Sequence, residues 1–147
     1  MKSFWLILFV LPLFAQDINK HNISLGLFDD KTGFSFIGYT YDIRQTEMDE
    51  FFIGCGTMIV AFTGSVGWKH YYKKSKLSFY SVLSGQGVMH MGFSGFMPTA
   101  SFSLEYNLTS KAQIKMGLWG MVLLGGTSSE SGSDAGILPF ASFNFRF

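Results

Sequence analysis

The chain has 147 residues, 48% hydrophobic and 18% aromatic but only 14% charged, with a formal net charge of +1. That balance argues against a nucleic-acid partner, because no basic patch stands out beyond Lys73, Lys74 and Lys76. A single cysteine, Cys55, excludes an internal disulfide.

The amino-terminal segment reads as an export signal. Lys2 precedes an unbroken apolar run from Phe4 to Val10, Pro12 breaks it, and Leu13-Phe14-Ala15 ends on a small residue. A spanning helix needs about 20 apolar residues, roughly twice this run. Residues 1–15 are therefore expected to be a signal peptide cut after Ala15, leaving one barrel domain over 16–147. Cys55 lies too far along to be a lipidated first residue. Beyond Ala15 the apolar stretches are interrupted by Gly, Ser and Thr, a pattern that suits strands and turns better than helices. For a charge-poor chain without a second helical span, a closed sheet is the other structure a bilayer permits.

Turn signals divide the chain into eight expected strands, roughly 21–29, 33–43, 49–58, 61–72, 76–88, 96–108, 111–124 and 136–147. After the first strand, Asp29-Asp30 and Lys31 read as a solvated outer turn, too poor in oxygen ligands for a calcium loop. Strands two, three and five do not alternate cleanly, and Cys55, between Gly54 and Gly56, reads as a small strand residue. Strand four sets Val66, Trp68 and Tyr72 against Ser65, Gly67 and Lys69. The Gly-rich stretch Ser84 to Gly95 is expected to be a long connection. Its Met89 and Met91, with Met97, read as lipid or partner contacts rather than a copper site.

Strand six alternates most cleanly. Ala100, Phe102, Leu104, Tyr106 and Leu108 take one face, and Ser101, Ser103, Glu105 and Asn107 the other. Strand seven places Ile114, Met116, Leu118, Val122 and Leu124 opposite Gln113 and Lys115, with Trp119 and Met121 on the polar side. A flexible polar loop follows from Gly125 to Gly136. Strand eight sets Ala141, Phe143, Phe145 and Phe147 against Ser142, Asn144 and Arg146. Apolar-out, polar-in alternation is the signature of a transmembrane β-barrel.

Within the cleanly alternating strands, the charges Lys69, Glu105, Lys115 and Arg146 all fall on the polar face. They are expected to form an interior structural network, with Glu105 pairing Arg146 and the two lysines supplying excess positive charge. An anion or small-solute site in the lumen is the functional alternative. Trp68, Tyr71, Tyr72 and Tyr106 lie near strand ends, where an aromatic girdle would sit. An even strand count puts both termini on one side, which for a bacterial barrel is the periplasm.

In layout the chain resembles the small eight-stranded bacterial outer-membrane barrels, such as the OmpA transmembrane domain and OmpX-type proteins. The resemblance rests on the export segment, the strand rhythm and the terminus Phe143-Asn144-Phe145-Arg146-Phe147. It implies a closed antiparallel up-and-down transmembrane barrel in the outer membrane. Phe143, Phe145 and Phe147 would form the signal read by the barrel-assembly machinery, and lipid and lipopolysaccharide would surround a monomer. Eight strands enclose space that side chains just fill, so a packed polar interior is expected rather than an open pore.

The expected role is structural, or surface interaction through the outer loops, with no cofactor and no metal. Two other classes remain open. One is a lipid A-modifying acyltransferase or deacylase. A deacylase of that kind carries His-x-Ser-Asn, absent here, and a triad drawn from His90, Ser94 and Asp134 rests on little more than abundance of serine. The other is a secreted soluble barrel that holds an apolar ligand with its faces reversed.

Overall fold

Period-two alternation resolves into a sheet closed on itself. The computed structural model describes residues 20–90, 93–124 and 134–147. Its strands are β1 (His21–Leu27), β2 (Ile37–Gln45), β3 (Asp49–Met58), β4 (Ala61–Lys73), β5 (Leu77–His90), β6 (Phe93–Asn107), β7 (Ala112–Leu123) and β8 (Asp134–Arg146). Each pairs antiparallel with its neighbour in sequence, and β8 returns to β1 through Asn22↔Arg146 to Leu27↔Ala141. The result is an all-β, closed, eight-stranded up-and-down barrel. The export segment 1–15, Met91 and most of the polar loop after Leu124 lie outside the described residues.

Two boundaries differ from the sequence expectation. The second strand starts at Ile37 rather than near residue 33, because residues 28–36 leave the barrel wall and fold inward. The long connection expected from Ser84 to Gly95 is instead continuous ladder, with β5 and β6 paired from Leu77↔Tyr106 up to His90↔Phe93. The wall is thus uneven, with β1 spanning 7 residues and β6 spanning 15.

Turns at the rim that holds the termini are short and locally capped. At 46–48 the Thr46 amide donates to the Asp49 carbonyl at 2.8 Å, and the Asp49 amide donates back to the Thr46 hydroxyl at 3.0 Å. At 74–76 the Ser75 amide donates to the Ser78 hydroxyl at 3.1 Å. At the opposite rim, β3 and β4 meet through Ile59 and Val60, with Ile59 held at φ 54°. A β-branched residue in that region is strained, and the two-residue hairpin imposes it.

The two faces of the wall differ sharply in polarity. Leu25, Ile37, Ile53, Val66, Leu83, Phe102, Leu118 and Ile137 are exposed on the outside. Inside lie Asn22, Ser24, Thr40, Asp42, Glu50, Lys69, Ser84, Gln86, Glu105, Gln113, Lys115, Ser142 and Asn144, all buried. Among the described residues, charges on the outward side of strands sit at strand ends: Arg44, Asp49, Lys73 and Asp134.

Candidate functional site in the barrel lumen

The lumen is organised in two layers. Toward the rim opposite the termini, the inward side chains Val88, Met97, Trp119 and Phe140 form an apolar cluster. Residues 28–36 close over it. Phe28 stacks on Trp119 at 6.2 Å between centroids, and Phe34 meets the indole edge-on at 5.1 Å. Met97, expected at a lipid or partner contact, is fully buried in this cluster, whereas Met89 is outward and exposed.

The same segment carries charge into the lumen. Its backbone turns on itself where Asp29 and Gly33 exchange amide bonds, and Gly33 sits at φ 70°. A Cβ there would displace the end of the Gln86 side chain, and the backbone angle itself favours glycine. The Lys31 amide donates to Asp29 Oδ1 at 2.9 Å, an Asx turn that orients the carboxylate. Lys115 Nζ then reaches Asp29 Oδ2 at 3.3 Å and Asp30 Oδ1 at 3.4 Å, and the Ser142 hydroxyl donates to Asp29 at 2.9 Å. Burial pushes the Asp29 carboxyl up, but Lys115, the Lys31 amide and Ser142 outweigh it and hold the group below the usual carboxylate range. Asp29, Asp30 and Lys31, expected in a solvated turn, are buried. The turn is polar because its partners are inside the barrel.

Below this segment a belt of polar contacts runs around the lumen. Lys31 Nζ donates to Asp42 at 2.8 Å and to Glu50 at 3.1 Å. Asn22 donates to Asp42, Asn144 to Asn22 and to Gln113, and Gln113 to Glu105, at 2.9, 3.3, 3.0 and 3.0 Å. Lys69 pairs with Glu105 at 2.6 Å, and its ammonium lies over the Tyr80 ring, 3.8 Å from the centroid. The Tyr71 hydroxyl donates to Glu50 at 3.2 Å and accepts from Arg146 at 3.0 Å, while Arg146 pairs with Glu50 at 2.9 Å. Every strand contributes at least one of these side chains.

Lys69, Glu105, Lys115 and Arg146 thus all face inward, but with partners other than those expected. Glu105 pairs with Lys69, and Arg146 with Glu50, so the expected Glu105–Arg146 bridge is not the pair that forms. The lysines carry no excess positive charge either. Asp29, Asp30, Asp42, Glu50 and Glu105 face Lys31, Lys69, Lys115 and Arg146, one carboxylate more than cations. Asp42 and Glu50 fall within the second and third expected strands, 33–43 and 49–58, whose uneven alternation left them unmarked. Tyr71, expected in an outward girdle, is an inward member of the network, whereas Tyr72 and Tyr106 are outward and exposed.

The other candidates separate. His90 opposes Phe93, and Ser94 opposes Met89, so His90 and Ser94 point to opposite sides of the sheet. Asp134 pairs with Leu123 on β7 and does not join them. Among the described residues, no three His, Cys, Asp or Glu side chains converge as a metal site. Cys55 is outward and exposed. Of the terminal aromatics, Phe143 and Phe145 meet at 4.6 Å, and Phe147 stacks on His21 at 5.7 Å.

Wall and lumen together define a closed small β-barrel whose first connection is an internal plug. No protein-family model, curated protein or solved structure matches the chain.

Proposed function

We propose that this chain is a small integral outer-membrane barrel with a plugged polar interior, acting as a structural or surface-interaction protein through its outer loops. The reading rests on one observation: the barrel is apolar outside and charged inside, with outward strand charges among the described residues confined to strand ends. Water rewards the reverse arrangement. A Lys or Arg on a lipid-facing strand costs about 2–4 kcal/mol at the bilayer midplane, so a lipid solvent accounts for the pattern directly. Strands β4 to β8, of 12 to 15 residues, exceed the ~9–11 that a tilted spanning strand needs.

Both termini then face the periplasm, and the hairpin at Ile59-Val60 faces outward. Trp68, Tyr72 and Tyr106 on the terminal side supply the interfacial aromatics. Partners follow from this address: outer-membrane lipid and lipopolysaccharide around the wall, and the barrel-assembly machinery for insertion. With its lumen filled by residues 28–36 and the polar belt, the barrel serves neither as an open pore nor as a carrier of an apolar ligand.

The test is gel mobility of the mature chain refolded in detergent, before and after boiling, alongside far-ultraviolet circular dichroism. A heat-modifiable band with a strand spectrum is expected. A monomer that folds in buffer without detergent would overturn the membrane assignment.

A further inference from the structure

We propose that the outward face of the barrel carries a serine esterase site, formed by Ser81, His70 and Asp49, that hydrolyses acyl esters of glycerophospholipids. This rests on the membrane reading above, since the substrate reaches these residues only from a lipid phase.

The residues form one row across three adjacent strands. Asp49 on β3 opposes His70 on β4, and His70 opposes Ser81 on β5. Directly opposed residues on one face of an antiparallel pair have Cβ atoms about 4.5–5.5 Å apart, close enough for their side chains to interact. Asp49 Oδ1 lies 2.8 Å from His70 Nδ1 and also accepts from the Trp68 indole at 2.8 Å. The indole bond fixes the carboxylate, and the carboxylate fixes the imidazole. With Nδ1 bonded to Asp49, Nε2 is the ring nitrogen left to serve as the base. Trp68 and Tyr72, two residues either side on the same face, flank the ring at 5.6 and 5.1 Å between centroids. The imidazole is only partly covered, at 33% exposure, so its free nitrogen is reachable.

Tyr72 supplies the remaining element. Register shifts between Tyr71 and Lys73, leaving Tyr72 as the extra residue of a bulge, a device that re-aims a side chain. Its hydroxyl lies 3.1 Å from Ser81 Oγ. Backbone amides in a closed ladder are committed to their neighbours, so an oxyanion here needs a side-chain donor, and Tyr72 is placed to be one.

The surroundings specify the ester. Lys73 at the end of β4 and Lys76 in the adjoining turn, the latter over the outward Tyr106 ring, lie where a phosphate headgroup would meet them. On the other side Leu83 and Val66 stand exposed along the wall, with Phe102 beside Ser81 in the row itself, a surface on which acyl chains would lie. A carbonyl between a phosphate and an acyl chain sits at the depth of the row.

The chemistry balances without a cofactor. Ser81 Oγ attacks the ester carbonyl as His70 Nε2 takes the hydroxyl proton, and Tyr72 donates to the developing oxyanion. The carbon–oxygen bond to the lysophospholipid breaks, and His70 returns the proton to that leaving alcohol. Water, deprotonated by His70, then attacks the acyl–Ser81 carbonyl; the bond from the acyl carbon to Oγ breaks, His70 returns the proton to Oγ, and the fatty acid leaves. Ser81, His70 and Tyr72 are catalytic residues in this scheme, and Asp49 is a positioning residue.

The test uses the full mature chain refolded in detergent, incubated with phosphatidylglycerol in mixed micelles, with free fatty acid as the readout. A fluorophosphonate probe followed by mass mapping provides a second readout. Wild type is expected to release fatty acid and to carry the phosphonate on Ser81. Ser81→Ala and His70→Ala should each lower release at least about 100-fold while keeping the heat-modifiable band, and Ser94→Ala should not change it. Tyr72→Phe should lower kcat more than it changes KM. A heat-modifiable barrel that neither releases fatty acid nor labels at Ser81 overturns the esterase while leaving the membrane reading intact. Absence of a heat-modifiable form overturns both.

Discussion

Glu50 takes contacts from three donors that reach it from different parts of the chain: Lys31 of the plug, Tyr71 of β4 and Arg146 of β8. It is fully buried, so its charge depends on those donors rather than on water. Glu50→Gln keeps the shape and removes the charge, leaving Lys31 dependent on Asp42 and Arg146 without its carboxylate partner. The expected loss is about 3 kcal/mol, the lower end of what breaking one side of a buried pair costs. Urea unfolding in micelles checks this, and a midpoint equal to wild type would remove Glu50 from the centre of the network. Sequence alone did not mark Glu50 or Asp42. A bulge between Asp42 and Arg44 interrupts the period of two in β2, and Phe52, the inward neighbour of Glu50, is apolar, so neither strand shows the contrast of faces that exposes Glu105 or Lys115.

Residues 28–36 show how an element can be misread while its composition is read correctly. Asp29-Asp30-Lys31-Thr32-Gly33 has the chemistry of a solvated turn, and it does turn. Its burial is decided by Lys115 and Trp119, both on β7 and far away in sequence, which supply the counter-charge and the aromatic floor. No local pattern encodes that. The long connection expected around His90 fails for a related reason: the inward positions Val88 and Met97 are apolar because they meet the plug, which blurs alternation where β5 and β6 still pair. By contrast, the parts of β6, β7 and β8 nearer the termini turn Ser101, Ser103, Glu105, Gln113, Lys115, Ser142 and Asn144 inward, and there the alternation is legible. The plug also has a pH signature. Asp29 titrates below its ordinary value in the folded protein, so its contribution is present above the unfolded pKa of about 3.9 and is lost as pH falls through the lower folded value. Melting temperature in micelles should therefore fall as the pH drops below about 4. Asp29→Asn should melt lower at pH 7 and lose less on acidification. Parallel pH curves for the two proteins would disconnect the plug from Asp29.

The molecule as a whole is held shut at its weakest strand. β1 has 7 residues and makes five register pairs with β2 and six with β8, against fourteen between β5 and β6. Closure of a barrel removes the two open edges only if this seam forms, and the loop it closes is nearly the whole chain. Contacts at its end therefore carry more weight than their number implies. Phe147 donates its amide to the His21 carbonyl at 2.9 Å and accepts from the His21 amide at 3.2 Å, while its ring stacks on the His21 imidazole. His21 in turn bonds the Tyr39 hydroxyl at 2.6 Å, extending the seam into β2. Phe147→Ala keeps the backbone bonds and removes the ring that fixes their geometry. The expected result is at least about a twofold drop in the yield of heat-modifiable barrel on refolding, because the last pairing must form against the full entropy of loop closure. The fraction that does close should keep a wild-type strand spectrum, since the lumenal network is untouched. Wild-type yields from Phe147→Ala would show that backbone pairing alone closes the barrel, and would move the determinant of closure to the Arg146–Glu50 bridge one residue earlier.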